Sequence, residues 1–257
     1  MGETNEYPEG FRENTNYEIF VRNRIPSLKN LNSYIIHYKP FKSRRENVRK
    51  QYKENNFKPI FVESFDREEL TEKETSLFNT DLLNPREISI FMKHMTALRH
   101  AYKNNFPYVL VLEDDCLFDN KFSTYLATYI KQLPEEWDML FLSDAFNFHM
   151  SKEEMIRQCI NVEGEKKHTN VFKKCLYPTK TQGGGCSKTA DAVLYSRKCI
   201  EHILAELDLD EYSISHAYDW FLSYVSRVYN MNVYWCEPTI VKHGSQTNHF
   251  KDVSYEN

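Results

Sequence analysis

One stretch of the chain constrains its fold more than any other: five apolar residues at 108–112 that end abruptly in Glu113, Asp114 and Asp115. A strand that is apolar on both faces is typical of the centre of a parallel sheet with helices on either side. In such sheets, ligands bind beyond the carboxyl ends of the strands. The run therefore predicts an α/β fold that carries an acidic cluster at its ligand-binding edge.

Strand-like and helix-like segments alternate around this run. A strand at 33–38, a helical segment at 43–55 and a strand at 59–63 open a parallel sheet. A polar loop is expected at 66–84, followed by a helix that begins after Asn84 as N-cap. Further strands are predicted at 138–142, 190–195 and 233–236, and further helices at 122–132, 196–207 and 217–229. We expect residues 1–30 to form an arm or tail and residues 31–257 to form a single domain.

The composition narrows the class of protein. The chain has 257 residues and a net charge of -4 without a long basic run, so nucleic-acid binding is not predicted. No stretch reaches the roughly 20 apolar residues of a membrane span. Residues 1–16 are polar and lack the features of a secretory signal, which favours a cytoplasmic location. None of the six cysteines forms a Cys-x-x-Cys pair, so a zinc cage is not expected.

The acidic triplet itself has two interpretations. Three consecutive carboxylates repel one another, and a divalent cation at the sheet edge would compensate that charge. In an extended chain Glu113 and Asp115 point to one side while Asp114 points to the other, so the first two form the better metal pair. The alternative is a helix N-cap or a solvated turn, where acidic residues are common. The triplet alone leaves both interpretations open.

The triplet also belongs to a longer pattern. Residues 112–115 follow a helix that carries Arg-Glu-Ile at 86–88 and Lys93-His94, and this arrangement resembles glycosyltransferase family 25. That family includes lipooligosaccharide galactosyltransferases and collagen galactosyltransferases. Lys93 stands where the family usually has serine. The resemblance extends over most of residues 33–245, including 137–142 and the glycine-rich segment at 183–197.

The resemblance implies a GT-A type fold with a Rossmann-like, mostly parallel sheet. It also implies transfer of galactose or glucose from a UDP-sugar, with inversion, to a glycan, lipid-linked glycan or protein hydroxyl. Mn²⁺, or Mg²⁺, would be held by Asp115 first, while Glu113 shares the ion or contacts the ribose. His243 falls where such enzymes recruit a further ligand, and His249 is a weaker competitor; a surface histidine near the C-terminus is the plain alternative.

Further residues are expected to contact the donor. The ring of Tyr38 could stack on a base, and Arg44 or Arg45 could meet a phosphate. A glycine run around Gly184 lets backbone approach a ligand closely, although a flexible turn would explain it equally well. The full predicted donor set is Asp114, His37, Tyr38, Arg45, Gly184 and Lys242.

Transfer with inversion needs a base, and a carboxylate is the usual one. Asp219, which lies among aromatic residues at the start of a predicted helix, is the first candidate, and Asp144 is the reserve. An ordinary N-cap aspartate is the alternative for Asp219. Residues 143–182 are expected to form the acceptor loops.

Two other functions compete with the transferase. A metal-dependent phosphoesterase also uses clustered carboxylates and histidines, but it typically holds two metals, and the sequence lacks a second histidine-rich ligand motif. A degenerate family member could serve as a binding module without turnover. The lysine at position 93 and the uninformative stretch at 150–178 leave room for it, whereas the retained Glu113, Asp115 and Asp219 argue against it.

Overall fold

The computed structural model of the chain describes residues 28, 31–144, 155–156, 158–159, 169–177, 186–187, 189–209, 213–245, 247 and 249–250. The predicted N-terminal arm, apart from Leu28, and the glycine run with Gly184 lie outside the described residues. So does most of the stretch predicted to hold the acceptor loops. The division into an arm and a single domain stays a prediction.

The strands are β1 (Ser33–Ile36), β2 (Pro59–Val62), β3 (Tyr108–Glu113), β4 (Cys116–Phe118), β5 (Met139–Phe141), β6 (Val171–Lys173), β7 (Ala192–Ser196), β8 (Val233–Cys236) and β9 (Val241–His243). The helices are α1 (Lys42–Glu54), α2 (Glu72–Thr75), α3 (Pro85–Lys103), α4 (Phe122–Gln132), α5 (Arg197–Leu207) and α6 (Tyr218–Val228), with a 3₁₀ turn at Arg67–Glu69.

Seven strands form one mixed sheet in the order β2-β1-β3-β7-β5-β8-β6. β1 runs parallel to β2 and β3, and β5 runs parallel to β8. β7 is antiparallel to both β3 and β5, and β6 is antiparallel to β8. The α/β class is confirmed, and the sheet and its helices are consistent with a GT-A-like fold. β4 and β9 pair separately as a small antiparallel sheet.

The apolar run predicted at the centre of the sheet is buried on both faces. Val109 and Val111 pack with α3, α5 and α6, whereas Leu110 and Leu112 pack with α1 and α4. Successive side chains of a strand point to opposite faces, so one run supplies two helix-covered cores. All four side chains are fully buried.

The prediction of a polar loop at 66–84 was wrong in part, because the stretch contains the 3₁₀ turn and α2. At the 3₁₀ turn the backbone N–H of Asp66 donates to the Glu69 carboxylate at 3.2 Å, and at the start of α2 the backbone N–H of Thr71 donates to the Glu74 carboxylate at 2.9 Å. These local caps stabilise short helical turns that are too brief to show an apolar period. Strands β4, β6 and β9, each of three residues, were not predicted either.

One edge of the sheet collects the ends of several strands. β1, β3, β5 and β8 all finish there, and antiparallel β7 begins there, because Ala192 pairs with Leu112. Residues that follow or precede these strands are therefore brought together. Within the described part of the chain, no helix has the length and apolar character needed to cross a membrane.

Candidate active site

The acidic turn is fixed at the sheet edge by its backbone. The N–H of Glu113 donates to the carbonyl of Asp191, which precedes β7, at 2.8 Å. The N–H of Asp114 donates to the carbonyl of Ile36, at the end of β1, at 3.1 Å. The triplet is therefore hydrogen-bonded to the chain on both sides of β3, at the end of β1 and just before β7, and does not lie on a free loop.

Strand β9 brings His243 to this turn from the far end of the chain. In the small sheet Cys116 pairs with His243, and the N–H of Gly244 donates to the carbonyl of Asp115 at 2.7 Å. One possible ligand atom from each of Glu113, Asp115 and His243 lies within 4.8 Å of the others. The three residues predicted to hold a metal are thus neighbours in space.

The chemistry of this group suits a divalent cation. Oδ1 of Asp115 is buried and has no hydrogen-bond partner among the described residues, although an unsatisfied buried carboxylate oxygen is costly. Its Oδ2 accepts from the Ser245 hydroxyl and lies 3.1 Å from Nδ1 of His243. Burial, followed by the charge of Asp115, raises the pKa of Glu113. Two carboxylates and an imidazole are ligands that Mn²⁺ accepts, and the ion would relieve their repulsion.

Asp114 faces the other way, into the protein. Its carboxylate accepts from Nδ1 of His37 at 2.7 Å, from the N–H of Tyr38 at 3.2 Å and from Nη1 of Arg44 at 2.8 Å. Burial opposes ionisation, but the His37 hydrogen bond and the Arg44 charge hold the pKa of Asp114 below its usual value. In this structure Asp114 and the fully buried His37 contact each other, and their donor-binding role stays a prediction.

The segment after β9 crosses the acidic turn closely. Nη2 of Arg44 donates to the Ser245 hydroxyl at 3.0 Å, which links α1 to that segment. A Cβ added to Gly244 would lie 2.6 Å from the carbonyl oxygen of Asp115 and 2.6 Å from the Phe250 ring. Only glycine allows this approach without displacing the strand that carries the neighbouring histidine.

A cavity of about 490 Å³ opens beside the Glu113 and His243 side chains. Asp219, in the first turn of α6, also lines it. Oδ2 of Asp219 accepts from the N–H of Thr189 at 3.3 Å, and Oδ1 accepts from the N–H of Trp220 at 2.9 Å. The candidate base therefore shares a cavity with two of the candidate metal ligands.

A sequence profile described as Glycosyltransferase family 25 (LPS biosynthesis protein) matches residues 30–190, more than half of the chain. The chain belongs to glycosyltransferase family 25. The resemblance seen in the sequence is thereby confirmed, and membership makes this protein a glycosyltransferase that uses a sugar donor and a glycan acceptor. The match ends before α6 and β9, which carry Asp219 and His243. The comparison with curated proteins gives no match.

Asp191 is a cavity residue of this family 25 enzyme that the sequence analysis missed. Its buried carboxylate accepts from the hydroxyls of Ser143 at 2.7 Å and Thr189 at 2.6 Å. Burial raises its pKa. The sequence does show an isolated acidic residue directly before an apolar strand. Like the acidic triplet that follows β3, such a residue is expected at the ligand-binding edge of the sheet, and it could have indicated Asp191.

Lys93, at the position where the family usually has serine, is buried and paired. Its ammonium donates to the carbonyl of His37 and forms an ion pair with Asp66. The lysine and the aspartate are 2 % and 3 % exposed. The pair therefore joins α3 to the end of β1 and to the segment after β2, at the edge that carries the acidic turn.

Two predicted donor residues lie apart from the cavity. The Tyr38 hydroxyl donates to Glu68 at 2.7 Å, and the Arg67 guanidinium lies 5.1 Å from the centre of its ring. Arg45 pairs with Glu63, and its guanidinium lies over the Phe61 ring. Both side chains are partly exposed at the end of the parallel strands, and their donor contacts stay predictions.

The other candidates are placed as follows. Lys242 is exposed on β9, and His249 is exposed beyond it, outside the group formed by Glu113, Asp115 and His243. Asp144 is half-buried at the same sheet edge, just after β5.

Proposed function

We propose that this family 25 enzyme transfers a hexose, galactose or glucose, from a UDP-sugar to a hydroxyl of a glycan, lipid-linked glycan or protein, with inversion. The observation that carries the proposal is the convergence of Glu113, Asp115 and His243 beside the cavity that Asp219 lines. Family membership supplies the reaction class, and the shared cavity supports the proposal that donor, cation and base would meet there.

Mn²⁺, or Mg²⁺, is the cation that we assign to Glu113, Asp115 and His243. When bound, it would neutralise negative charge on the leaving diphosphate. The buried Oδ1 of Asp115, which has no hydrogen-bond partner within the described ranges of the chain, supports an ion at this position. Ser245 and Gly244 hold the same aspartate by its side chain and its carbonyl, so the carboxylate is oriented before any ligand arrives.

The proposed chemistry for the protein itself rests on Asp219. Its carboxylate takes the proton from the acceptor hydroxyl while that oxygen forms a bond to the anomeric carbon. The bond from the anomeric carbon to the phosphate oxygen breaks, and its electron pair leaves with UDP. The hydrogen bonds from Thr189 and Trp220 hold both carboxylate oxygens of this base in one orientation.

Binding of the donor tests the first half of this proposal. Thermal unfolding is measured with a panel of UDP-sugars and with GDP- and CMP-sugars, each with and without Mn²⁺. We expect stabilisation by one UDP-hexose that depends on Mn²⁺ and is absent in Asp115→Asn. Asp119→Asn is the matched control, because Asp119 is an exposed aspartate that follows β4, outside the group of Glu113, Asp115 and His243, and should respond like the natural protein. Stabilisation by no nucleotide sugar would contradict the proposal.

Turnover tests the second half and separates the alternatives. UDP release in the presence of candidate acceptors, with NMR of the product's anomeric configuration, should show transfer with inversion. Hydrolysis of simple phosphate esters without transfer would identify a phosphoesterase instead. Donor binding without transfer to any acceptor, and without UDP release, would identify a binding module.

A further inference from the structure

His94, on α3, lies next to Tyr218 and Glu113, which line the cavity, and it has an unusual environment for a buried histidine. Its ring is 0 % exposed and stacks on Tyr218 with centroids 4.0 Å apart and planes 20° apart. Neither ring nitrogen has a hydrogen-bond partner among the described residues. Its Nε2 is 3.9 Å from Oε1 of Glu113.

A buried imidazole with two unsatisfied nitrogens destabilises the fold, so its presence calls for an explanation other than stability. A neutral ring offers one N–H donor and one acceptor, and leaving either unsatisfied costs about 1–3 kcal/mol. A phenylalanine would stack on Tyr218 without that cost. The Glu113 carboxylate, with Oε1 3.9 Å from Nε2, needs to approach by only about 1 Å to accept a normal hydrogen bond from that nitrogen.

We propose that His94 is a positioning residue for Glu113: its Nε2–H donates to Oε1 of Glu113 when that carboxylate binds the divalent cation. The inference rests on the proposed function, because it assigns a partner to one of the three cation ligands. Side chains that ligate a metal are usually oriented by a second set of hydrogen bonds. The Tyr218 stack restricts the orientation of the His94 ring, and Tyr218 immediately precedes Asp219 at the start of α6.

The test measures Mn²⁺ affinity by calorimetry and by the electron paramagnetic resonance of free Mn²⁺, without any turnover. His94→Phe keeps a ring against Tyr218 but removes both nitrogens, whereas His94→Gln restores an amide N–H near the position of Nε2. His202→Phe is the matched control. His202 stacks on Tyr229 with centroids 4.5 Å apart and also has a buried Nδ1 without a hydrogen-bond partner in the described part of the chain, but it lies on α5 away from the cavity.

We expect His94→Phe to bind Mn²⁺ about 10–100-fold more weakly than the natural protein, the range seen when an outer-shell partner of a ligand is lost. His94→Gln should recover most of the affinity, and His202→Phe should not change it. In the presence of EDTA the Tm of His94→Phe should equal or exceed that of the natural protein, because unsatisfied polar atoms have been removed. A purely structural histidine would give the opposite result, a lower Tm with unchanged Mn²⁺ affinity.

Two results would overturn the inference. One is a His94→Phe variant that binds Mn²⁺ as tightly as the natural protein while Asp115→Asn does not. The other is an equal loss of affinity in His94→Phe and His94→Gln. A natural protein that does not bind Mn²⁺ at all would instead overturn the proposed cation site, and this inference with it, so the two failures are distinguishable.

Discussion

The buried pair of Lys93 and Asp66 allows a quantitative prediction. Lys93→Met keeps much of the side chain's length and apolar stem but removes the ammonium, so Asp66 is left as a buried carboxylate without its closest cation. Removing one partner of a buried ion pair typically costs about 3–5 kcal/mol. Here Nζ of the half-exposed Lys39 remains 3.6 Å from Oδ2 of Asp66, and the N–H of Lys39 still donates to that oxygen. We therefore expect a loss near the lower end, about 3 kcal/mol.

Urea and thermal unfolding measure this loss directly. For a domain of this size each kcal/mol lowers the Tm by about 2–4 °C, so Lys93→Met should melt about 6–12 °C below the natural protein. Lys103→Met, an exposed lysine on the same helix, is the control and should stay within about 0.5 kcal/mol. Lys93→Ser, which installs the residue usual in the family, should also destabilise because Asp66 remains charged and buried.

A double variant tests the reasoning itself. Lys93→Met combined with Asp66→Leu removes both charges, and replacing a whole buried ion pair with apolar residues is often close to neutral. The double variant should therefore lose less than the sum of the two single variants. A Lys93→Met variant that loses under about 1 kcal/mol, or a double variant whose loss equals the sum, would show that the pair does not contribute as the structure indicates.

Three further outcomes follow from the site. Gly244→Ala places a methyl group against the Asp115 carbonyl, so it should cost about 1–3 kcal/mol of stability and weaken Mn²⁺ binding in calorimetry; unchanged affinity would show that this segment does not position His243. Asp219→Asn should lower kcat by about 100–10,000-fold while the donor-dependent Tm shift persists. If Asp144→Asn lowers kcat by this amount and Asp219→Asn does not, Asp144 is the base. Burial lowers the pKa of His94 from 6.5 to about 3, so below pH 6.5 the unfolded chain takes up a proton that the folded chain does not, and stability falls. In EDTA, the stability gained by His94→Phe should therefore be larger at pH 5 than at pH 7.5 by about 2 kcal/mol, and a constant difference would contradict the low pKa.

The parts of the fold that follow local rules could be predicted from the sequence. The limits of α4 and β8 agree with the predicted ranges, and α3 begins after Asn84, which accepts the N–H groups of Arg86 and Glu87 as an N-cap should. Asp114 points to the opposite side from Glu113 and Asp115 because successive side chains of an extended chain alternate in direction. These features depend on a few consecutive residues, which the sequence displays directly.

The structural role of Lys93 could not be predicted, because its ion-pair partner is distant in the sequence. A lysine in place of serine left room for a degenerate protein, and the 66–84 stretch was predicted to be a polar loop. The structure pairs the lysine with Asp66, 27 positions earlier, and satisfies the carbonyl of His37 with the same ammonium. An unfavourable residue in one segment is compensated by a residue in another, and a single sequence gives no sign of such a compensation.

Strand β9, which brings His243 to the candidate site, could be predicted even less well from the sequence. β9 has three residues, too few for a period, and its pairing with β4 is held by contacts such as the Ser245 hydroxyl to Asp115, which spans 130 positions. His243 could be proposed only because the resemblance implied a ligand near the C-terminus, and the family profile itself ends at residue 190. The acidic turn is built by the first half of the chain, whereas the histidine, the glycine that allows close approach and Asp219 are supplied by the second. The candidate site therefore exists only when both halves are folded together. For this reason Gly244→Ala, which pushes β9 away from the Asp115 carbonyl, should weaken cation binding even though it removes no metal ligand.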